Sequence, residues 1–179
     1  PNFSEGKSKN IIDLITKEIN DVKEVKLLDV DMGFDTNRTV VTFAGPPESV
    51  IEAAYKSIAK ASELIDMRKH KGTHPRMGAT DVCPIIPIKN ISIEECVELS
   101  KKLGKKISSN LSIPVFLYEY SATSDKRRNL ANIRSGEYEG MEVKIAKASW
   151  SPDFGKTSLN KKSGVIAVGV RDFLIAYNV

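Results

Sequence analysis

Two cysteines, two histidines and one tryptophan are all that 179 residues contain of those types, and aromatic residues make up only 7%. The cysteines, Cys83 and Cys96, form no CxxC pair and share no metal-ligand spacing with the histidines. That pattern predicts no metal and no disulfide framework, and fits packed free thiols in a reducing, cytoplasmic compartment. No apolar run is long enough to span a membrane, and no charged-then-apolar segment reads as a secretion signal. There is no P-loop and no GxGxxG, so a nucleotide site has no motif to rest on. The formal charge of +4 is mild, and the strands lack the interleaved aromatics on which RNA-binding sheets stack bases. A nucleic acid is therefore not the expected partner. No internal repeat, low-complexity tract or clear linker divides the chain.

What is present suits one domain over residues 1–179. Hydrophobic residues make up 41% and charged residues 28%, enough for a real core with an ordinary soluble surface. Ser4 to Asn20 carries Ile11, Ile12, Leu14, Ile15 and Ile19 at helical spacing. Val25 to Gly33 and Arg38 to Ala44 read as strands, the second rich in β-branched residues. Glu48 to Asp66 is a long amphipathic helix opened by prolines. Asp81 to Ile88 is strand-like, but Pro84 and Pro87 cannot donate to a ladder, so an edge or irregular strand is expected. Ser92 and Glu95 have capping-box spacing and open a helix to about Leu111. Pro114 to Tyr120 is another strand. Ser121 to Gly136 is polar and basic, Glu137 to Lys147 a short helix, and Ser149 to Gly164 a loop. Gly164 to Val170 and Phe173 to Val179 read as closing strands joined by a tight turn at Arg171-Asp172. Helices alternate with strands, yet hairpin-like pairs occur as well. The mixture predicts an α+β class: a ferredoxin-like mixed β-sheet with helices packed on it.

The most informative stretch is Asp66 to Pro84, DMRKHKGTHPRMGATDVCP. It holds both histidines, His70 and His74, among Arg68, Lys69, Lys71 and Arg76. Histidine alone has an unperturbed pKa near neutrality, about 6.5. A cationic loop carrying every imidazole reads as a site. The plainer alternative is a solvated basic loop, since loops are where charge normally sits.

These residues carry a resemblance. PNFSEG (Pro1 to Gly6), LLDVDMGFDTNRTVVTFAG (Leu27 to Gly45), LIDMRKHKGTHPRMGATDVCPIIPI (Leu64 to Ile88), WSPDF (Trp150 to Phe154) and the final FLIAYNV together resemble the formiminotransferase family in its amino-terminal subdomain. The resemblance implies transfer of a formimino group from N-formimino-L-glutamate to tetrahydrofolate, as co-substrate, in histidine breakdown and one-carbon metabolism. It also implies a dimeric module whose cleft is shared with a carboxy-terminal subdomain that this chain does not include. A short strand usually precedes PNFSEG. The family's catalytic histidine, in HPRMG, corresponds to His74. Its folate-binding loop corresponds to Gly155, Lys156, Thr157, Ser158, Leu159, Asn160, Lys161, Lys162, Ser163 and Gly164.

The chemistry asks for these residue types. One imidazole can take a proton from the attacking folate nitrogen and return it to the departing amine. His70, nearer the helix end, has a structural or orienting role as its first reading. Asp31 is a candidate to hold a cationic amidine. Asp35 is the alternative, and either can equally cap the turn through its backbone. Arg38, Arg68, Lys69, Lys71 and Arg76 form a candidate electropositive path for substrate carboxylates. Arg76 is the preferred grip, because a guanidinium holds a carboxylate in a fixed fork. Asn2 can offer an amide to the pterin or simply start the first turn. Two further readings remain: a non-catalytic folate-binding or assembly module, and a basic RNA-binding module of ferredoxin-like shape.

Overall fold

Side chains alternate across a strand, so each strand here divides its residues between two faces. The computed structural model describes residues 1–174. Strand β1 (Asn2–Phe3) leads to helix α1 (Lys9–Asn20), then to strands β2 (Lys26–Gly33) and β3 (Arg38–Ala44). Helix α2 (Pro47–Leu64) and strand β4 (Thr80–Ile85) complete a β-α-β-β-α-β unit. Helix α3 (Ile93–Leu111) and strand β5 (Val115–Glu119) follow. Next come the short helices α4 (Asp125–Arg128), α5 (Leu130–Arg134) and α6 (Glu137–Ile145), and then strand β6 (Ile166–Val170). The sheet has six strands in the order β2-β3-β1-β4-β6-β5. Neighbours from β2 to β4 pair antiparallel, the ferredoxin-like arrangement. Strands β4, β6 and β5 pair in parallel and extend the sheet. The expected α+β class and mixed sheet are therefore what the chain forms.

One face is covered by α1, α2 and α3. Phe3, Val41, Ile12, Ile15 and Ile58 pack there, continuing through Cys83, Leu103, Val115, Leu117, Ile166 and Val168. The opposite face is covered over its parallel half. There Val82, Phe116, Tyr118 and Ala167 meet Ile133, Met141 and Ile145 from α5 and α6. Both cysteines are buried and free. No helix among the described residues is long and apolar enough to cross a membrane.

Several local expectations are corrected. The Asp81–Ile88 strand is central, not an edge, because β4 lies between β1 and β6. Pro84 is tolerated for a directional reason. The Ile85 carbonyl accepts from the Arg171 amide on the β6 side, so Pro84 turns toward β1, whose pairing reaches only to Val82. The first helix starts at Lys9 rather than Ser4. Ser4 instead bonds Ala79 and Gly78, and the Gly6 amide donates to Asn37 Oδ1, so this backbone is committed to crossing loops. The polar Ser121–Gly136 stretch contains α4 and α5. Both edges of β6 pair with neighbouring strands, β4 and β5. Phe173 and Leu174 are exposed, and residues 175–179 of that expected strand lie outside the described residues. The expected capping box is present, with Ser92 Oγ accepting from the Glu95 amide at 3.1 Å and Glu95 returning the bond to Ser92.

The loop after α2 meets the start of β6 at a backbone crossing. A Cβ on Gly78 would lie 2.0 Å from the Val165 carbonyl oxygen, and one on Gly164 (φ +69°) 2.1 Å from that of Met77. Gly78→Ala is expected to destabilise the chain by more than about 2 kcal/mol in urea melts. Gly140→Ala, in α6 with nothing within 4 Å, is expected to stabilise by about 0.5–1 kcal/mol. Equal effects of the two substitutions would contradict this account.

Candidate active site

The loop between α2 and β4 carries both histidines, and its connections fix each ring differently. Asn37, in the β2–β3 turn with φ 47°, is the tie-point. Its Oδ1 accepts from the Gly6 amide at 2.9 Å and its Nδ2 donates to the Lys71 carbonyl at 2.8 Å. His70 Nε2 donates to the Asn37 carbonyl at 2.9 Å, while its Nδ1 accepts from Arg76 Nε at 3.2 Å. Both ring nitrogens are thus engaged, and burial lowers the pKa of His70. His70 thereby ties the loop to the β2–β3 turn and to Arg76.

His74 is half-buried and has the opposite tautomer. Its Nδ1 donates to the Pro75 carbonyl at 2.6 Å, so Nε2 carries the lone pair. That lone pair accepts from Arg38 Nη1 at 3.2 Å. Burial first, and then the Arg38 charge, hold the ring below the ordinary histidine range. The result is a neutral imidazole at neutral pH with its basic nitrogen facing a guanidinium. Arg38 Nη2 also donates to Asn2 Oδ1. Asn2, Arg38 and His74 therefore form one hydrogen-bonded run.

Beside it lies a cleft of about 590 Å³ whose walls include Asn2, Arg38, Tyr118, Arg128, Arg134 and Arg171. Arg134 pairs with Asp81, which is 1% exposed and also accepts from the Met77 amide at 3.0 Å. Lys144 anchors the segment that presents Arg134. Its ammonium donates to the carbonyls of Ile133 at 2.8 Å and Ser135 at 3.0 Å. Among the described residues, no cluster of histidine, cysteine, aspartate or glutamate has the makings of a metal site.

The other candidates are placed as follows. Asp31 is exposed on β2 and acts on Arg38 as a favourable charge. Asp35 lies in the turn, where its carbonyl accepts from Thr73 Oγ1. Arg76, the preferred carboxylate grip, is only 7% exposed. Its guanidinium is held by Glu139 at 2.7 Å and Glu137 at 2.8 Å, so it is an internal clamp between the loop and α6. Arg68 is paired with Asp66 at 2.6 Å.

The Gly155 to Gly164 segment lies at the amino-terminal ends of β5 and β6, whereas Glu119 and Arg171 place the arginine cleft at their carboxy-terminal ends. Lys156, Thr157 and Ser158 are exposed. Asn160 Nδ2 donates to the Ser112 carbonyl, Tyr138 to that of Lys161, and Lys162 Nζ to that of Glu63. Ser163 and Gly164 touch Ala79 and Gly78, just beyond His74. Leu159 packs with the α5–α6 layer. Sequence reasoning missed Asp81, Arg128, Arg134 and Arg171, which come from separate segments and meet only in the fold.

The description "Formiminotransferase domain, N-terminal subdomain" matches residues 1–171. The formimidoyltransferase-cyclodeaminase of Dictyostelium discoideum is 51% identical over 179 residues, covering 100% of this chain and 33% of that protein. The glutamate formimidoyltransferase of Streptococcus pyogenes serotype M1 is 48% identical, covering 100% of this chain and 60% of that protein. The glutamate formimidoyltransferase of Thermoplasma acidophilum is 43% identical, covering 100% and 59%. The chain belongs to the formiminotransferase family, as its N-terminal subdomain. It spans between 33% and 60% of the length of these relatives.

The neutral histidines have a pH signature. With both pKa values lowered by folding, the unfolded chain binds more protons just below neutrality. Stability is therefore expected to fall as pH drops through about 6.5. Urea midpoints measured from pH 7.5 down to 5.5 should decline, and the double variant His70→Gln/His74→Gln should show a flatter dependence. An unchanged slope in the variant would falsify the assignment of neutral rings.

Proposed function

We propose that the chain provides the catalytic half of a formimidoyltransferase that moves a formimino group from N-formimino-L-glutamate to tetrahydrofolate, with His74 as base and then acid. The observation that carries this reading is the His74 tautomer: a neutral ring whose Nε2 lone pair accepts from Arg38, a residue that lines an open cleft.

Attack by the folate N5 on the formimino carbon forms a carbon–nitrogen bond and moves the C=N electron pair onto the imino nitrogen. His74 Nε2 takes the N5 proton. The resulting imidazolium then gives that proton to the glutamate nitrogen as its bond to carbon breaks. The C=N bond re-forms, leaving 5-formimino-tetrahydrofolate and glutamate. A lowered pKa suits the second half, because an imidazolium next to Arg38 is a stronger acid than a free one. Asn2 and Asp31 remain proposed contacts for pterin and amidine, and Gly155 to Gly164 for folate. In this reading the cleft is completed by a carboxy-terminal subdomain or by a homodimer partner, in the cytoplasm. The length of the relatives supports the first arrangement. A folate-binding module that turns over only with that partner is the same reading at the level of this chain.

His74→Ala is expected to lower kcat by at least about 100-fold while changing folate affinity little. The assay is spectroscopic transfer with a carboxy-terminal subdomain supplied. The acidic limb of the wild-type kcat profile should lie below the ordinary histidine range. Near-normal turnover by the variant sinks the assignment.

A further inference from the structure

We propose that the arginine cleft beside His74 is the seat of the donor's two carboxylates, with Arg38 and Arg134 facing the one next to the reacting nitrogen and Arg128 and Arg171 the distal one. This rests on the transfer reading above for the identity of the ligand. The charges of the cleft point to an anion whatever its identity.

The cleft carries an unbalanced positive charge. Among its lining residues Arg38, Arg128, Arg134 and Arg171 face a single carboxylate, Glu119. Asp81, behind the wall, pairs with Arg134 and also acts on Arg38, and the exposed Asp125 stands 3.5 Å from Arg128. Arg38 has only the neutral acceptors Asn2 and His74. The Nε groups of Arg38 and Arg134 are both buried and without an acceptor. Two half-buried guanidiniums that repel one another are an unfavourable arrangement in a free protein, and a bound anion would offset that cost. The volume, about 590 Å³, suits a small ligand. Among the described residues the cleft offers no exposed aromatic face for a pterin, since its Tyr118 is 3% exposed. It therefore suits carboxylates better than a ring.

Arg38 links this site to the chemistry. In the free chain its Nη1 occupies the lone pair that His74 must use. A carboxylate gives that guanidinium a charged acceptor, which is the stronger bond. Arrival of the donor then draws Arg38 off His74 and frees the base only when substrate is present. The formimino nitrogen is one carbon from the α-carboxylate, so anchoring that carboxylate at Arg38 sets the reacting bond beside the ring.

Calorimetry on this chain tests the site with L-glutamate, glutarate and p-aminobenzoyl-L-glutamate as probes. L-Glutamate and glutarate should bind, and added salt should weaken both. Arg171→Gln and Arg128→Gln should each weaken L-glutamate about tenfold or more. Lys105→Gln, which removes an exposed charge on α3, should change nothing. Nitrogen NMR of the His74 ring should show an Nε2 shift on adding L-glutamate, reflecting the loss of the Arg38 donor. Tighter binding of p-aminobenzoyl-L-glutamate at the same arginines would assign the cleft to the folate tail and overturn the proposal. So would absence of glutamate binding, or wild-type affinity in both arginine variants. If glutamate binds as described but no transfer occurs with the partner subdomain, the transfer reading fails and the carboxylate site stands. If transfer proceeds and Arg171→Gln leaves the donor KM unmoved, the site fails and the transfer reading stands.

Discussion

The contact on which the rest depends is the crossing of backbones at Gly78 and Gly164. No side chain fits between these strands of chain, as the distances to the Val165 and Met77 carbonyls show. Closure there does two things at once. It lets the Val165 amide bond the Met77 carbonyl and the Ala79 amide bond the Ser163 carbonyl. It also fixes where the histidine loop ends and β4 begins, so that Asp81 turns back to receive both the Met77 amide and Arg134. A loop rich in cations has no packing reason to hold one shape. Here its two ends are set by backbone contact and its middle by Asn37, and the rings inherit that order.

Charge is then arranged so that the loop stays reactive without becoming disordered. Burial first, with the neighbouring arginines adding to it, keeps both imidazoles neutral. Neutrality is useful in different ways at the two positions. At His70 both nitrogens are consumed in bonding, which stiffens the loop. At His74 one nitrogen donates to the backbone and the other keeps a lone pair that accepts only from Arg38. The difference comes from the neighbour of Nδ1: a guanidinium donor at His70, a carbonyl acceptor at His74. Two histidines in one motif thereby acquire opposite tautomers.

What was legible in the sequence follows from how local each signal is. The capping box at Ser92 and the apolar period of α3 lie within a few turns of helix, and both are present. The β-branched run of β3 and the paired hydrophobic faces of β5 and β6 were likewise readable. Pro84 misled because a missing amide matters only if it points at a partner, and direction is a property of the sheet. Ser4 misled because it resembles a helix start, whereas the extended Ser8 precedes α1 and Ser4 is used in a crossing. Helices α4 and α5 are too short to show a period. The site divides in the same way. His74, Asn2 and Arg38 stand in motifs that the family resemblance marks. Arg134 comes from a stretch with no periodicity, and its meaning arises only from Asp81, far away in sequence.

The different fates of Arg76 and Arg134 follow from their counter-charges. Arg76 shares a motif with His74, yet Glu137 and Glu139 from α6 already balance its charge. A substrate carboxylate could take Arg76 only by displacing a bidentate partner that folding supplies, with no net gain in pairing. Arg134 has a single counter-charge, Asp81, on one side of its fork, and leaves an Nε–H without an acceptor. A ligand there adds a bond and replaces none. Helix α6 thus serves the site twice. Its acids balance the charge of Arg76, and its Lys144 gathers the carbonyls at the end of α5, next to the arginine facing the cleft. Specificity for an anion arises from which guanidiniums the fold leaves incompletely answered.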